Sequence, residues 1–154
     1  MKRTLDVWVP GATLGWNAFK KLTTRQRMAR TKTDRTKAYM CAIKAVREKY
    51  PRAADQTWTG FTAIDFEVRT IRLRDTLFIQ GSSIKAIQDG ICQAVLPLGD
   101  GPKTFYQWNP PTQVKVGTKA EEGVMVRIAT MEEMHYPECP WPAATCACAM
   151  LART

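Results

Sequence analysis

The stretch "TWTGFTAIDFEVRTIRLRD", Thr57 to Asp75, decides the fold. Ile64, Phe66 and Val68 alternate with Ala63, Asp65 and Glu67, and a period of two sends successive side chains to opposite faces of a strand. The apolar run continues through Ile71 and Leu73 with Arg72 and Arg74 opposite, so the stretch reads as one long strand or a bent pair. Immediately downstream, "SSIKAIQDGICQAVL" sets Ile84, Ile87, Ile91 and Val95 on one helical face. Ser82 or Ser83 starts this helix and Pro97 lies just past its end, while Lys85 and Asp89 share its other face.

Working outward, "TLDVWVP" alternates Leu5, Val7 and Val9 against Asp6 and Trp8 before Pro10 and Gly11 stop it, the pattern of a half-buried strand. "TDRTKAYMCAIKAVREKYP" places Tyr39, Ile43, Val46 and Tyr50 at helical spacing, with Thr33 or Asp34 as the expected N-cap and Pro51 after the end. Between these elements, Ala18 to Arg35 is polar and basic with little periodicity, which predicts an extended arm or surface loop. After the turn "PLGDGPK" come the strand candidates "FYQWN", "TQVKVG" and "GVMVRIAT", the last with Val124, Val126 and Ile128 facing inward. No internal repeat or low-complexity segment is present. The order predicts a single α/β or α+β domain, a mixed sheet flanked by helices.

A chain of 154 residues, 45% hydrophobic, supports one core and is too short for two. The formal charge of +9 is concentrated at one end. Residues 1–52 hold 14 Lys/Arg against Asp6, Asp34 and Glu48, whereas residues 53–154 hold 9 against 11 carboxylates. Such asymmetry favours a polyanionic partner, and nucleic acid over a membrane surface, because no long apolar amphipathic face accompanies the charge. No run approaches the roughly 18 apolar residues of a membrane span. Asp6, Pro10 and Gly11 break the apolar stretch at the start, so it does not read as a signal peptide. The expected location is the cytoplasm. Of five cysteines, Cys41 and Cys92 fall inside helical patterns and read as small buried hydrophobes.

The run "RLRDT" followed by "IQGSSIKAIQDGI", then "LGDG" after the helix, resembles the RusA-type Holliday junction resolvases. "VPGATLGWNAF", with Asn17, and the helix "TKAYMCAIKAV" are similar to that family in the same order. The resemblance covers about residues 5–130 and is most specific from Asp75 to Asp100, which sets residues 1–130 apart as a RusA-like domain and 131–154 as a tail. It implies a homodimer that grips branched DNA and hydrolyses phosphodiesters with carboxylate-held Mg²⁺, with no small-molecule cofactor and no membrane. A hard cation needs oxygen ligands to polarise the phosphate and prepare a water. The family's motif is Asp-x-Asp-Asn after the strand and a further Asp after the helix. Asp75 and Asp100 match its first and last members, but Leu77 and Phe78 replace the second Asp and the Asn. Leucine supplies neither charge nor oxygen, so Mg²⁺ binding is expected to be weak or lost. Asp89, Asp65 or Glu67 could substitute, although Asp89 is better placed to pair with Lys85 and the other two to face solvent. Lys85 also lies farther from Asp75 than the basic residue of compact family members, which loosens its assignment to DNA.

The candidate catalytic residues are therefore Asp75 and Asp100, with Asp89 as a third candidate metal ligand. The candidate DNA contacts are Asn17, Lys20, Lys21, Arg25, Arg27, Arg30, Lys32, Arg72, Arg74 and Lys85, beside Arg35 and Lys37. Lysine and arginine neutralise phosphates without reading bases, which suits recognition of a branched shape. Trp16 and Phe19 could stack on an opened base, but packing is the preferred reading. His135, Cys139, Cys146 and Cys148 in the tail lack the Cys-x-x-Cys pairing of a strong zinc site. Three functions follow: a branched-DNA binding protein with a crippled metal site, a working junction endonuclease, or a reused fold acting as a protein-interaction or inhibitor module.

Overall fold

The computed structural model describes residues 3–52, 58, 62–73, 83–96, 106–108 and 110–130, with Trp16 and 106–108 described by their backbone alone. In chain order they form β1 (Thr4–Pro10), α1 (Trp16–Lys20), α2 (Thr24–Lys49), β2 (Thr62–Thr70), α3 (Ser83–Val95), β3 (Tyr106–Trp108), β4 (Thr112–Lys115) and β5 (Gly123–Thr130). β5 runs antiparallel between β1 and β2, pairing Val126 with both Val7 and Phe66. β3 and β4 add in parallel along the other side of β2, the first beside Thr62–Ile64 and the second beside Glu67–Thr70. β1 and β2 therefore point the same way, and α1 and α2 make the crossover that parallel strands require. α3 makes the next crossover. The architecture is the expected α+β single domain with a mixed sheet.

Alternation on three neighbouring strands places Leu5, Val7, Val9, Ile64, Phe66, Val68, Val124, Val126 and Ile128 in one buried layer. α3 covers that layer with Ile84, Ile87, Ile91 and Val95, the face read from the sequence, and α2 contributes Ala38, Ala42 and Val46. The two helices approach closely because the contacting residues are small. A Cβ added at Gly90 would overlap the Arg35 carbonyl oxygen and lie 3.0 Å from Tyr39 N and 3.1 Å from the Ala38 Cβ. Cys92 is fully buried and Cys41 half-buried, where desolvation raises the thiol pKa above its usual value against the pull of Lys37 and Lys44.

Two expectations are corrected. Ala18 to Arg35 is not an extended arm, because α1 occupies its start and α2 begins at Thr24. Thr23 and Gln26 supply the start through a reciprocal capping box, Thr23 Oγ1 accepting from Gln26 N at 3.3 Å and Thr23 N donating to Gln26 Oε1 at 2.9 Å. Thr33 and Asp34 consequently stand in mid-helix and not at an N-cap. The central strand is also shorter than read: β2 ends at Thr70, and Leu73 is exposed.

One edge of the sheet is occupied. Thr130 N donates to Arg3 O and Gly11 N to Glu122 O, both at 2.9 Å, so the odd-numbered residues of β1 face β5 and Thr4, Asp6, Trp8 and Pro10 turn their backbone outward. On that outer side Tyr50 Oη donates to Thr4 O at 2.7 Å, Lys49 Nζ lies 3.1 Å from Thr4 Oγ1, and Lys37 Nζ reaches Pro10 O at 3.2 Å. α2 thus closes both ends of the edge. No helix among the described residues is long and apolar enough to cross a membrane.

Candidate nucleic-acid interface

A single regular helix now carries most of the N-terminal charge. Along α2 the buried residues Asp34, Ala38, Ala42 and Val46 form one row at intervals of four, and the rows on the opposite side are Arg25–Ala29–Thr33–Lys37 and Met28–Lys32–Thr36–Met40–Lys44–Glu48, all exposed. α2 has only two carboxylates. Asp34 is buried in the row against the core, and Glu48 sits in the last turn. From Arg25 to Lys44 the outer side is therefore cationic without an exposed acid to offset it.

The basic residues divide into two groups. Arg30 is held inside the fold, its Nε 2.9 Å from Asp34 Oδ2 and a terminal nitrogen 2.8 Å from Ala12 O. It neutralises a buried carboxylate and ties α2 to the loop after β1. Arg27 donates to the carbonyls of Leu22, at 3.0 Å, and Lys20, and its guanidinium lies 6.0 Å from the Phe19 ring centre. It satisfies carbonyls left open between α1 and α2. Each thus anchors its guanidinium to the fold through Nε and one terminal nitrogen.

The second group faces solvent. Asn17, Lys20, Lys21, Arg25, Lys32 and Arg72 are exposed. Arg35 reaches across to Gln93 Oε1 at 3.1 Å, which places it on the side of α2 toward α3. Lys44 stands in a loose pair with Glu48, 3.9 Å apart with both side chains largely solvated, an arrangement of little energetic weight. Lys44 was missed by the sequence reading. Its signal is the spacing Lys32–Thr36–Met40–Lys44, which shows a shared ridge once α2 is known to run from Thr24.

Asp75 and Asp100, with Leu77, Phe78 and Arg74, lie outside the described residues. The described residues on either side of 74–82 are tied to the loop after β1 or to the residue that bonds it. Ile71 N donates to Glu122 Oε1 at 3.1 Å, beside the Gly11–Glu122 backbone bond, and Leu14 N donates to Ser83 Oγ at 3.1 Å. Asp89 is committed elsewhere, with Lys85 Nζ 2.7 Å from its Oδ1, an ion pair without hydrogen-bond alignment. Lys85 is the half-exposed partner of that pair. Glu67 lies on the sheet face away from the helices, 2.9 Å from Arg69 and 3.5 Å from Arg127, beside a depression of about 190 Å³ that Asp65 also lines. Among the described residues, no three of His, Cys, Asp and Glu come together to hold a metal ion. The acids proposed as substitutes thus do not assemble a Mg²⁺ site with one another.

Neither a protein-family model nor a curated protein matches this chain.

Proposed function

We propose that the protein is a branched-DNA binding protein of RusA-like character, acting as a homodimer in the cytoplasm, whose metal-dependent nuclease chemistry is impaired. The observation that carries the binding half is the outer side of α2, where exposed cations run from Arg25 to Lys44 without an exposed carboxylate. A surface of this kind gains affinity from counterion release and reads shape, since phosphates carry no base identity. The impaired half rests on Leu77 and Phe78 in the motif beginning at Asp75. Mg²⁺ requires oxygen donors, and two positions of the set offer none. Arg72, exposed just past the end of β2, would bring a further cation to the end where β2 and α3 meet the loop after β1.

The test is a synthetic four-way junction beside a linear duplex of the same sequence. Tighter binding of the junction with little Mg²⁺-dependent cleavage is expected. Equal affinity for the two DNAs would remove branched-DNA recognition, and efficient cleavage abolished by Asp75→Asn would remove the impairment. Sedimentation of the free protein tests the homodimer.

A further inference from the structure

We infer that the outer side of α2 tracks the sugar-phosphate backbone of double-stranded DNA, with Arg25 and Lys32 as phosphate contacts and no role for unstacked bases. The inference rests on the nucleic-acid reading above and specifies the form of the nucleic acid. Three features carry it. First, the charge is displayed on a preformed helix, capped by Thr23 and Gln26 and fastened at Arg30, so its spacing is fixed before any partner arrives. Arg25 and Lys32 are seven residues apart, about 10 Å along the axis and nearly on one face. Second, Met28 and Ala29 lie between these cations and Thr33 and Thr36 follow Lys32, and the alanine and the two threonines are short enough for a backbone to come close. The Thr33 hydroxyl donates to Ala29 O at 2.9 Å and is spent inside the helix, which leaves Thr36 as the hydroxyl of this strip that can reach a phosphate.

Third, the strip has no ring on which a base could stack. Single-stranded DNA is held by aromatic platforms alternating with cations. Here the exposed large apolar residues of α2 are Met28 and Met40. Tyr39 is half-buried on the flank toward α3, and the Phe19 ring in α1 is half-buried beneath Arg27. A duplex offers phosphates on its outside and keeps its bases stacked, and that is the partner this strip fits.

The experiment measures binding of the full-length protein, by fluorescence anisotropy over a range of salt, to a mixed-sequence duplex, a four-way junction and a single strand with the same number of phosphates as the duplex. Arg25→Gln/Lys32→Gln is compared with Lys115→Gln/Lys119→Gln, which removes equal charge from exposed positions on β4 and the turn after it. Circular dichroism melting checks that both variants remain folded. The expected result is tighter binding of duplex than of single strand by the parent. The α2 variant should lose about tenfold or more in duplex affinity near 0.1 M salt and about two units of the log K against log salt slope, while the β4 variant changes little. Single-strand binding equal to or tighter than duplex binding overturns the inference, as does an α2 variant that binds like the parent. Equal affinity for junction and duplex would end the branched-DNA reading and leave this inference standing. No binding to any of the three DNAs would end both.

Discussion

Glu121 shows how one turn can be set by one carboxylate. Its Oε2 accepts from the Thr118 hydroxyl at 2.9 Å, from Thr118 N at 3.0 Å and from Gly117 N at 3.2 Å. These bonds, the Thr118 hydroxyl first, hold the carboxyl below its usual pKa. A depressed folded-state value means that the charged form stabilises the turn above the ordinary glutamate range, and that this contribution disappears as pH falls through the lowered value. The group is exposed, so the effect is local. Following the Glu121 side chain by NMR titration should give a midpoint below that of an unstructured glutamate, and Thr118→Ala should move it upward. An unmoved midpoint would refute the hydrogen-bond cause. Arg30 makes the complementary case. Its role inside the fold predicts that Arg30→Gln lowers stability by about 1–2 kcal/mol through the loss of a charged hydrogen bond at a part-buried site, and leaves the salt dependence of DNA binding near the parent's. A flattened slope at unchanged stability would return Arg30 to the interface.

Among the elements, α2 and α3 depend on the absence of a side chain at Gly90. Because an added Cβ would overlap the Arg35 carbonyl, Gly90→Ala forces the helices apart and should cost about 2–3 kcal/mol, a fall in Tm of roughly 6–9 °C for a chain of this size. Thermal melting decides it, and an unchanged Tm would mean that the helices slide freely. The same contact explains what could be read in the sequence. β1, β2, β5 and α3 were legible because Val, Ile and Phe alternate or recur at clear periods where they meet the core. The first half of α2 was not, because its inward row there is Arg30 and Asp34, which carries no hydrophobic signal, and the row continues through the small Ala38 and Ala42. Close packing against Gly90 selects small residues, and Arg30 allows a carboxylate to be buried there. The readable signal was the capping pair Thr23 and Gln26. At the site, the amount of positive charge was legible, but its division was not: which arginines turn inward depends on the Ala12, Lys20 and Leu22 carbonyls, whose positions no local pattern announces.

For the molecule as a whole, the proposal separates grip from chemistry. Leu77→Asp with Phe78→Asn restores oxygen ligands to the motif and should raise Mg²⁺-dependent junction cleavage by orders of magnitude, with more thermal stabilisation by Mg²⁺ than the parent shows. Added negative charge near Asp75 should lower stability without metal. A double variant as inactive as the parent would mean that Leu77 and Phe78 are not what limits the chemistry. The bonds that Tyr50 and Lys37 make along β1 have a consequence for behaviour in concentrated solution. An open strand edge is a template on which other chains extend a sheet, and proteins guard such edges with lysine, proline or a covering element. Here Pro10 offers no N–H, and the Thr4 and Pro10 carbonyls are already taken from above by α2. Tyr50→Phe with Lys37→Ala would free those acceptors while leaving the buried layer untouched. Light scattering at high protein concentration should then show faster growth of aggregates. The residues that fasten the basic helix to the sheet would thus also keep neighbouring copies from fusing into fibres.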